Sequence, residues 1–578
     1  MYLFSFLNFV SHKIKTYLEQ IGYLLIMSQK NRIATTGIFF SAITILLIYL
    51  MSVRDGIHLP IYVFWISISL TFYVILYHSI NINPIDEFSK IILFEIIVLS
   101  LVLHLVYQIP YYGLYGTDAY YDLNSMKGIL LSGHLISTLT YVNVTSYWPL
   151  IHIIGSIFSL ISNINALNVA KWFPSLYGTI VPIITYLFIQ KIFNDNRIAL
   201  ISTLLFVSLN NYIFFGSLFI RESLSLIFAI FCLYTYFTSN SGIKYSISIL
   251  FLVATTLSHH LTALILAAIF YVHYIVSDLL LNHNYFFHKN ITRKIVSKNI
   301  LLLIIIIPVC YWVYVILYPL ITVVHFFENL LNFNSPTYAE ISGISSTSLP
   351  NIRSYILYFG FFIFNWIFGF LLSYQLIFKK IKKLEIYSFT IFLFMIGFIG
   401  FLFLYIIPLS SATLLPDRLL TYGWLLGFAP LSLFIVKINN TYVRKLGLFI
   451  LFAFLIYNIY SIDVTTRNSQ YNGLQISTSQ EEYNLAKVVS IQKKSILVGH
   501  PSMLMAIYDT QNYAGMDLYS SKIKINDVNW IIINKNSLEL KKKRIKNESV
   551  YFDLKGLTLN HNILKVYDSN NLVGFCKS

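Results

Sequence analysis

Charge is the scarcest commodity in this chain. Charged residues make up 11% of its 578 positions, and the 24 acidic side chains are outnumbered by 40 Lys and Arg. So few charges, set against 57% hydrophobic residues and a mean hydropathy of +0.70, exclude an ordinary soluble domain. Cysteine is nearly absent as well: three thiols, Cys232, Cys310 and Cys576, give neither a disulfide framework nor a thiolate metal site. No glycine-rich phosphate loop is found, and Met1 to Lys30 has no compact apolar core followed by a small-residue cleavage site, so no cleavable signal peptide is expected. Internal repeats and paired interrupted helices, the marks of inverted-repeat transporters, are missing too.

Long apolar runs are what the chain has instead. A helix of roughly 20 residues crosses a hydrocarbon core of about 30 Å, and the pattern predicts thirteen such spans: 34–51, 59–80, 91–109, 169–190, 198–215, 222–238, 244–257, 262–281, 300–318, 353–378, 386–407, 419–436 and 446–461. The expected fold class is an all-α polytopic membrane protein of about 13 transmembrane helices with a small α/β C-terminal domain. The surplus of basic residues is distributed over alternate loops: Lys13, Lys15, Lys30 and Arg32; Lys191 and Arg197; Lys244; Lys289 to Lys298; Lys379 to Lys383; and Arg444 with Lys445. That alternation marks cytoplasmic turns and gives no reason to expect nucleic acid. The expected membrane is the plasma membrane, with the N-terminus cytoplasmic and the loops 110–168, 319–352 and 408–418, together with the whole tail, outside.

Three regions follow. Residues 1–33 form a cytoplasmic or interfacial segment, 34–461 the transmembrane module, and 462–578 an extracytoplasmic α/β domain with strand-type runs at 495–499 and 529–534 and a helix between them at 501–508. The loop 110–168 is too long for a connector. Its stretch 149–164 reads as a juxtamembrane helix lying at the outer surface, because counting it as a span would place the later Lys-rich loops outside.

The few ionisable residues outside the basic loops gather on one side. Gly116-Thr-Asp118-Ala-Tyr-Tyr-Asp122 follows the third span, and Arg221-Glu222 sits where the fifth span meets the sixth. His259 and His260 occupy the turn between spans seven and eight, and Arg418 precedes span twelve. A carboxylate at this level meets a lipid headgroup and an aqueous acceptor together, and an Arg guanidinium is the planar partner of a phosphate oxygen. The plainer roles are capping for Asp118 and Asp122, an interfacial ion pair for Arg221 with Glu222, and snorkelling or pairing with Asp417 for Arg418. Glu95 and Asp278, toward the inner ends of their spans, read as structural.

The order Gly116-Thr-Asp118, Trp148-Pro-Leu-Ile-His152, Lys191-Ile-Phe-Asn194 and Arg221-Glu222 resembles the glycosyltransferase-C superfamily, especially the branch containing protein O-mannosyltransferases and aminoarabinose transferases. The ending Asn562 to Asn570 is similar to the tails of archaeal members. The resemblance implies a multi-span transferase for one hexose or pentose. Its donor is a polyprenyl-phosphate-linked sugar such as a dolichyl phosphate sugar, and its acceptor a glycan, lipid or protein in cell-surface glycosylation. It assigns Asp118 as the catalytic carboxylate and Glu222 as the second-loop acidic residue. The residues' own positions suit Asp118 and Glu222 to a divalent cation (Mg or Mn), Arg418 to the donor phosphate, and Asp122, Arg221, His259 and His260 to a supporting place. Two departures stand out: the residue after Asp118 is Ala where the family has a second acid, and the Trp-Trp-Asp motif of oligosaccharyltransferases is missing. The rival expectation, a multi-span transporter or lipid flippase, fits the span count equally but requires ionisable groups near mid-membrane.

Overall fold

The structure is a computed structural model. It describes residues 29–315, apart from 56, 58, 85, 112, 136–146, 239–241 and 283–297, and then 421, 428–429, 431–438, 441–460 and six short strands of the tail. Its helices in chain order are α1 (Gln29–Arg54), α2 (Ile61–Asn81), α3 (Ser89–Leu105), α4 (Thr117–Ser132), α5 (Leu150–Ser162), α6 (Ala166–Gly178), α7 (Ile180–Phe193), α8 (Asn196–Val207), α9 (Asn210–Ser217), α10 (Arg221–Thr238), α11 (Gly242–Ser258), α12 (His260–Asn282), α13 (Lys298–Val315) and α14 (Thr441–Tyr460).

Ten of the thirteen expected spans fall on these helices, with 169–190 on α6 and α7 and 198–215 on α8 and α9. The spans 353–378 and 386–407 lie outside the described residues, as does half of 419–436. Among the described residues four stretches are long and apolar enough to cross a membrane: Arg32–Arg54, Ile61–Asn81, Ala166–Phe193 and Thr441–Ile459. The protein is a helical, multi-span membrane protein. The fifth expected span is broken, α8 and α9 meeting at 65°. The polar groups freed there find partners: Leu209 N–H donates to Phe206 O at 3.1 Å, and Asn458 donates to the Ser208 hydroxyl at 3.1 Å. Such internal satisfaction is what hydrocarbon surroundings demand of any break in a helix.

One end of the bundle is organised by Asn and Asp. Asn194 ends α7 in the left-handed region at φ 52°, and Asp195 then caps α8 by accepting from Arg197 N–H at 2.9 Å. At the same end Glu95 is fully buried on α3, accepting from the Thr36 hydroxyl at 3.2 Å and pairing with His78 Nδ1 at 3.0 Å, while His78 Nε2 meets the Thr35 hydroxyl at 2.6 Å. Every polar atom of that pair is engaged, which ties α1 and α2 to α3. Glu95 is structural, as its position suggested.

In the tail, β1 (Gln470–Tyr471) and β2 (Leu474–Gln475) form an antiparallel pair. β3 (Ile496–Val498), β4 (Trp530–Asn534), β5 (Ile563–Asp568) and β6 (Leu572–Lys577) form a sheet of order β3-β4-β6-β5. β3 and β4, the two runs of apolar β-branched residues expected as strands, pair in parallel, and β6 is antiparallel to both its neighbours. Parallel pairing needs a crossover. The helix expected at 501–508 lies within the connecting residues, outside those described.

Candidate functional site

The loop after α3 is more ordered in character than a connector. It contains α4, a helix of 16 residues that begins at Thr117, so Asp118 stands in its first turn and Asp122 one turn later. Gly116 enters the helix at φ +83°, a conformation that costs little only without a Cβ, and a Cβ there would lie 3.0 Å from Leu218 Cδ1. Tyr120 closes the approach: its hydroxyl donates to Leu114 O at 3.2 Å and accepts from Leu114 N–H at 3.1 Å. The apolar stripe Leu123, Met126 and Leu130 seats α4 on α5, where Gly155 is small enough for Phe219 and Met126 to close over it.

A helix is present as α5, within the expected 149–164. Asn163 stops it in the left-handed region at φ 55°. Ile157, Leu160 and Ile161 are exposed on it, while Ile151, His152, Gly155 and Ser159 are buried. That split fits a helix with one face toward lipid and one toward protein.

Segment 217–223 joins α9 to α10 in a tight turn pinned from three sides. Gln108 donates to Ser217 O, Ser223 Oγ donates to Ile220 O at 2.6 Å, and Tyr177 shares a 2.5 Å hydrogen bond with Ser223 Oγ. Behind it, His104 fills the space left by Gly178 and Gly216. The turn thereby holds Arg221 and Glu222 at the start of α10, with Glu222 buried and Arg221 one-fifth exposed.

Asp122, not Asp118, is the buried member of the pair on α4. Its Oδ1 accepts from His152 Nε2 at 2.9 Å and forms an ion pair with Arg221 Nε at 3.2 Å, and among the described residues Oδ2 has no hydrogen-bond partner. The Arg221 guanidinium lies over Trp148 at 5.4 Å, Trp148 packs at a tilt against His260 at 4.6 Å, and His260 sits 4.9 Å from His259. His259 Nδ1 reaches the Thr262 hydroxyl at 2.9 Å. Four residues singled out from sequence as supporting, Asp122, Arg221, His259 and His260, are thus linked through Trp148 and His152. Neither of those two was anticipated as part of the site. The sequence signal for His152 is a single imidazole in an otherwise apolar helix, whose burial demands a polar partner.

Asp118 points into the open at the first turn of α4, where the helix dipole favours a negative charge. Burial pushes the Tyr121 hydroxyl above its ordinary pKa, and the Asp118 carboxylate near it adds to the effect, so that phenol stays protonated. No protein-family profile and no characterised protein matches this chain in sequence. Its fold is similar to that of archaeal oligosaccharyltransferase AglB from Archaeoglobus fulgidus, solved with an inhibitory peptide and a dolichol-phosphate, at TM-score 0.47 and 12% identity over 78% of this chain and 70% of that one. It is similar also to ArnT from Cupriavidus metallidurans bound to undecaprenyl phosphate, at TM-score 0.47 and 10% identity over 85% of this chain and 98% of that one.

The donor set expected for a divalent cation was Asp118 with Glu222. Among the described residues no three His, Cys, Asp or Glu side chains come together as ligands. A magnesium-type ion is held by one or two carboxylates together with waters and substrate phosphates, so Asp118 with Glu222 stays a proposed cation pair and the reaction proposed for this site does not depend on it. Arg418 lies outside the described residues.

Proposed function

We propose that this protein is a membrane glycosyltransferase that moves one sugar from a polyprenyl-phosphate donor to a hydroxyl of a glycan, lipid or protein. The observation carrying the reading is the contrast on α4: an exposed carboxylate, Asp118, on a helix whose next turn is locked by a buried carboxylate engaged with His152 and Arg221. A group so exposed contributes little to packing, yet the scaffold beneath it is rigid. Those are the requirements of a general base.

In this reading Asp118 takes the proton of the acceptor hydroxyl as its oxygen attacks the anomeric carbon. The bond to the phosphate oxygen breaks on the opposite side, its electron pair leaves with polyprenyl phosphate, and the anomeric centre inverts. Arg418 meets the charge gathering on the leaving phosphate, and the Asp122 cluster keeps α4 in place. The donor's lipid tail accounts for the membrane setting. The site faces outward, with the N-terminus cytoplasmic, residues 34–461 as the transferase module and 462–578 as an extracytoplasmic domain.

The transporter or flippase reading has one observation in its favour, the broken span at α8 and α9. The polar residues at that break, Ser208, Asn210 and Asn458, are uncharged, whereas an ion or substrate pathway calls for ionisable groups. Transfer of isotope-labelled sugar from polyprenyl-phosphate donors, assayed in membranes containing the protein, separates the two. Labelled product whose formation depends on Asp118 supports the transferase; movement of labelled lipid across the bilayer without a new glycosidic bond refutes it.

A further inference from the structure

We propose that Arg221 is a second phosphate-gripping cation for the lipid-linked donor, and that Asp122 and His152 are positioning residues that aim it. The proposal rests on the transferase reading for the identity of the donor, and on geometry for the rest. A guanidinium carries five N–H donors in a rigid fork. In Arg221 the Nε edge is turned to Asp122 Oδ1 in an ion pair at 3.2 Å, and among the described residues the terminal Nη1 and Nη2 groups have no acceptor. The side chain is one-fifth exposed, and its plane is backed by the buried Trp148 ring at 5.4 Å. A guanidinium held by one edge and one face presents its remaining edge in a fixed direction, which is the geometry for two parallel bonds to phosphate oxygens.

Asp122 is held in turn. His152 Nε2 lies 2.9 Å from the same oxygen that Arg221 uses, and both side chains of this pair are at most 1% exposed. The hydrogen bond from His152 prevents the carboxylate from rotating, so Arg221 inherits its aim from a chain of contacts reaching into α5. Distance to the base is suitable also. Side chains four residues apart share one helix face, about 6 Å apart along the axis. A phosphate gripped beside Asp122 therefore leaves a space next to Asp118 for a sugar and its acceptor. The donor is a phosphate diester and its leaving group a monoester, so the reaction adds negative charge to the leaving oxygen. A second cation placed on that phosphate gains in strength as the charge develops.

The test uses the full chain in nanodiscs of neutral phosphatidylcholine, with binding of polyprenyl monophosphate measured directly and transfer measured alongside. Arg221→Gln is expected to weaken binding about tenfold, as loss of a charge-assisted pair implies. Asp122→Asn and His152→Gln are expected to weaken it in the same sense. Each is expected to add little to Arg221→Gln in the double variant, because all three changes disable one contact; a merely structural role predicts additive losses. Inorganic phosphate and phosphatidylglycerol form the comparison arms. Tight binding of inorganic phosphate alone, or of phosphatidylglycerol with the same dependence on Arg221, overturns the donor assignment. Wild-type binding in Arg221→Gln overturns the proposal outright even where transfer is observed. Conversely, binding that depends on Arg221 in a chain that transfers no sugar sustains this inference while the transferase reading fails. Should Asp122→Asn not fold, His152→Gln with Arg221→Gln completes the same cycle.

Discussion

Asp118 and Asp122 lie one turn apart on the same helix, and replacing each by Asn is expected to give opposite results. Asp118 is exposed and in the first turn, so its charge contributes at most the helix-terminus effect of about 0.3 to 1 kcal/mol. Asn is itself well accommodated near a helix start. Folding stability in Asp118→Asn should therefore stay near wild type, while loss of a general base lowers the rate by about 10² to 10⁴. Asp122 is wholly buried, and its Oδ1 accepts a hydrogen bond from an imidazole and is ion-paired with a guanidinium. Breaking a buried charged pair costs about 3 to 5 kcal/mol. The partial exposure of Arg221 and the oxygen that Asn retains bring the expected figure for Asp122→Asn to about 2 kcal/mol, and Asp122→Ala should approach 3. Thermal unfolding in detergent, followed by tryptophan fluorescence beside labelled-sugar transfer, reads both quantities. A destabilised Asp118→Asn that retains activity, paired with an Asp122→Asn as stable as wild type, would refute the division of labour between base and scaffold.

Topology is open to labelling: Glu340→Cys and Ser520→Cys should react with an impermeant thiol reagent from outside, and Asn290→Cys and Ile381→Cys should not. Gly216→Ala should destabilise the protein by about 1 to 3 kcal/mol, because the new Cβ would sit 2.5 Å from the ring of a buried His104 with no room to retreat; unchanged thermal stability would show that the wall behind the 217–223 turn is loose. If Arg418 also contacts the donor phosphate, Arg418→Lys should lose part of the donor affinity and Arg418→Ala about tenfold to a hundredfold. Equal affinity in the Arg and Lys forms would leave it an interfacial anchor.

How much of this was legible in the sequence depends on the range of the interaction. The long apolar helices were legible because each is fixed by its own apolar run, whatever its neighbours do. The helix within 149–164 was legible for the same reason, and in the structure Asn163 stops it. α4 was not: its opening Thr117 to Asp122 carries two acids and two tyrosines, and the apolar spacing that makes it a helix starts only at Leu123. Its helicity comes from packing on α5 and α6, which no local pattern records.

The site shows the same limit more sharply. As sequence, Asp118 and Asp122 are two acids at helical spacing, and nothing in their neighbours says which is buried. The difference is made by His152 and Arg221, which arrive from α5 and from the start of α10 to meet Asp122 and leave Asp118 in the open. A scarcity of charge supplies the physical reason. In a chain with so few acids, a buried carboxylate survives only where the fold delivers its partners, because an unpartnered one costs several kcal/mol or gives up its charge. The same rule explains Glu95, met by His78 and Thr36 at the other end of the bundle. Asp118, exposed on the same helix, is freed from that constraint, which is why the proposed base role falls to it and the scaffold role to Asp122.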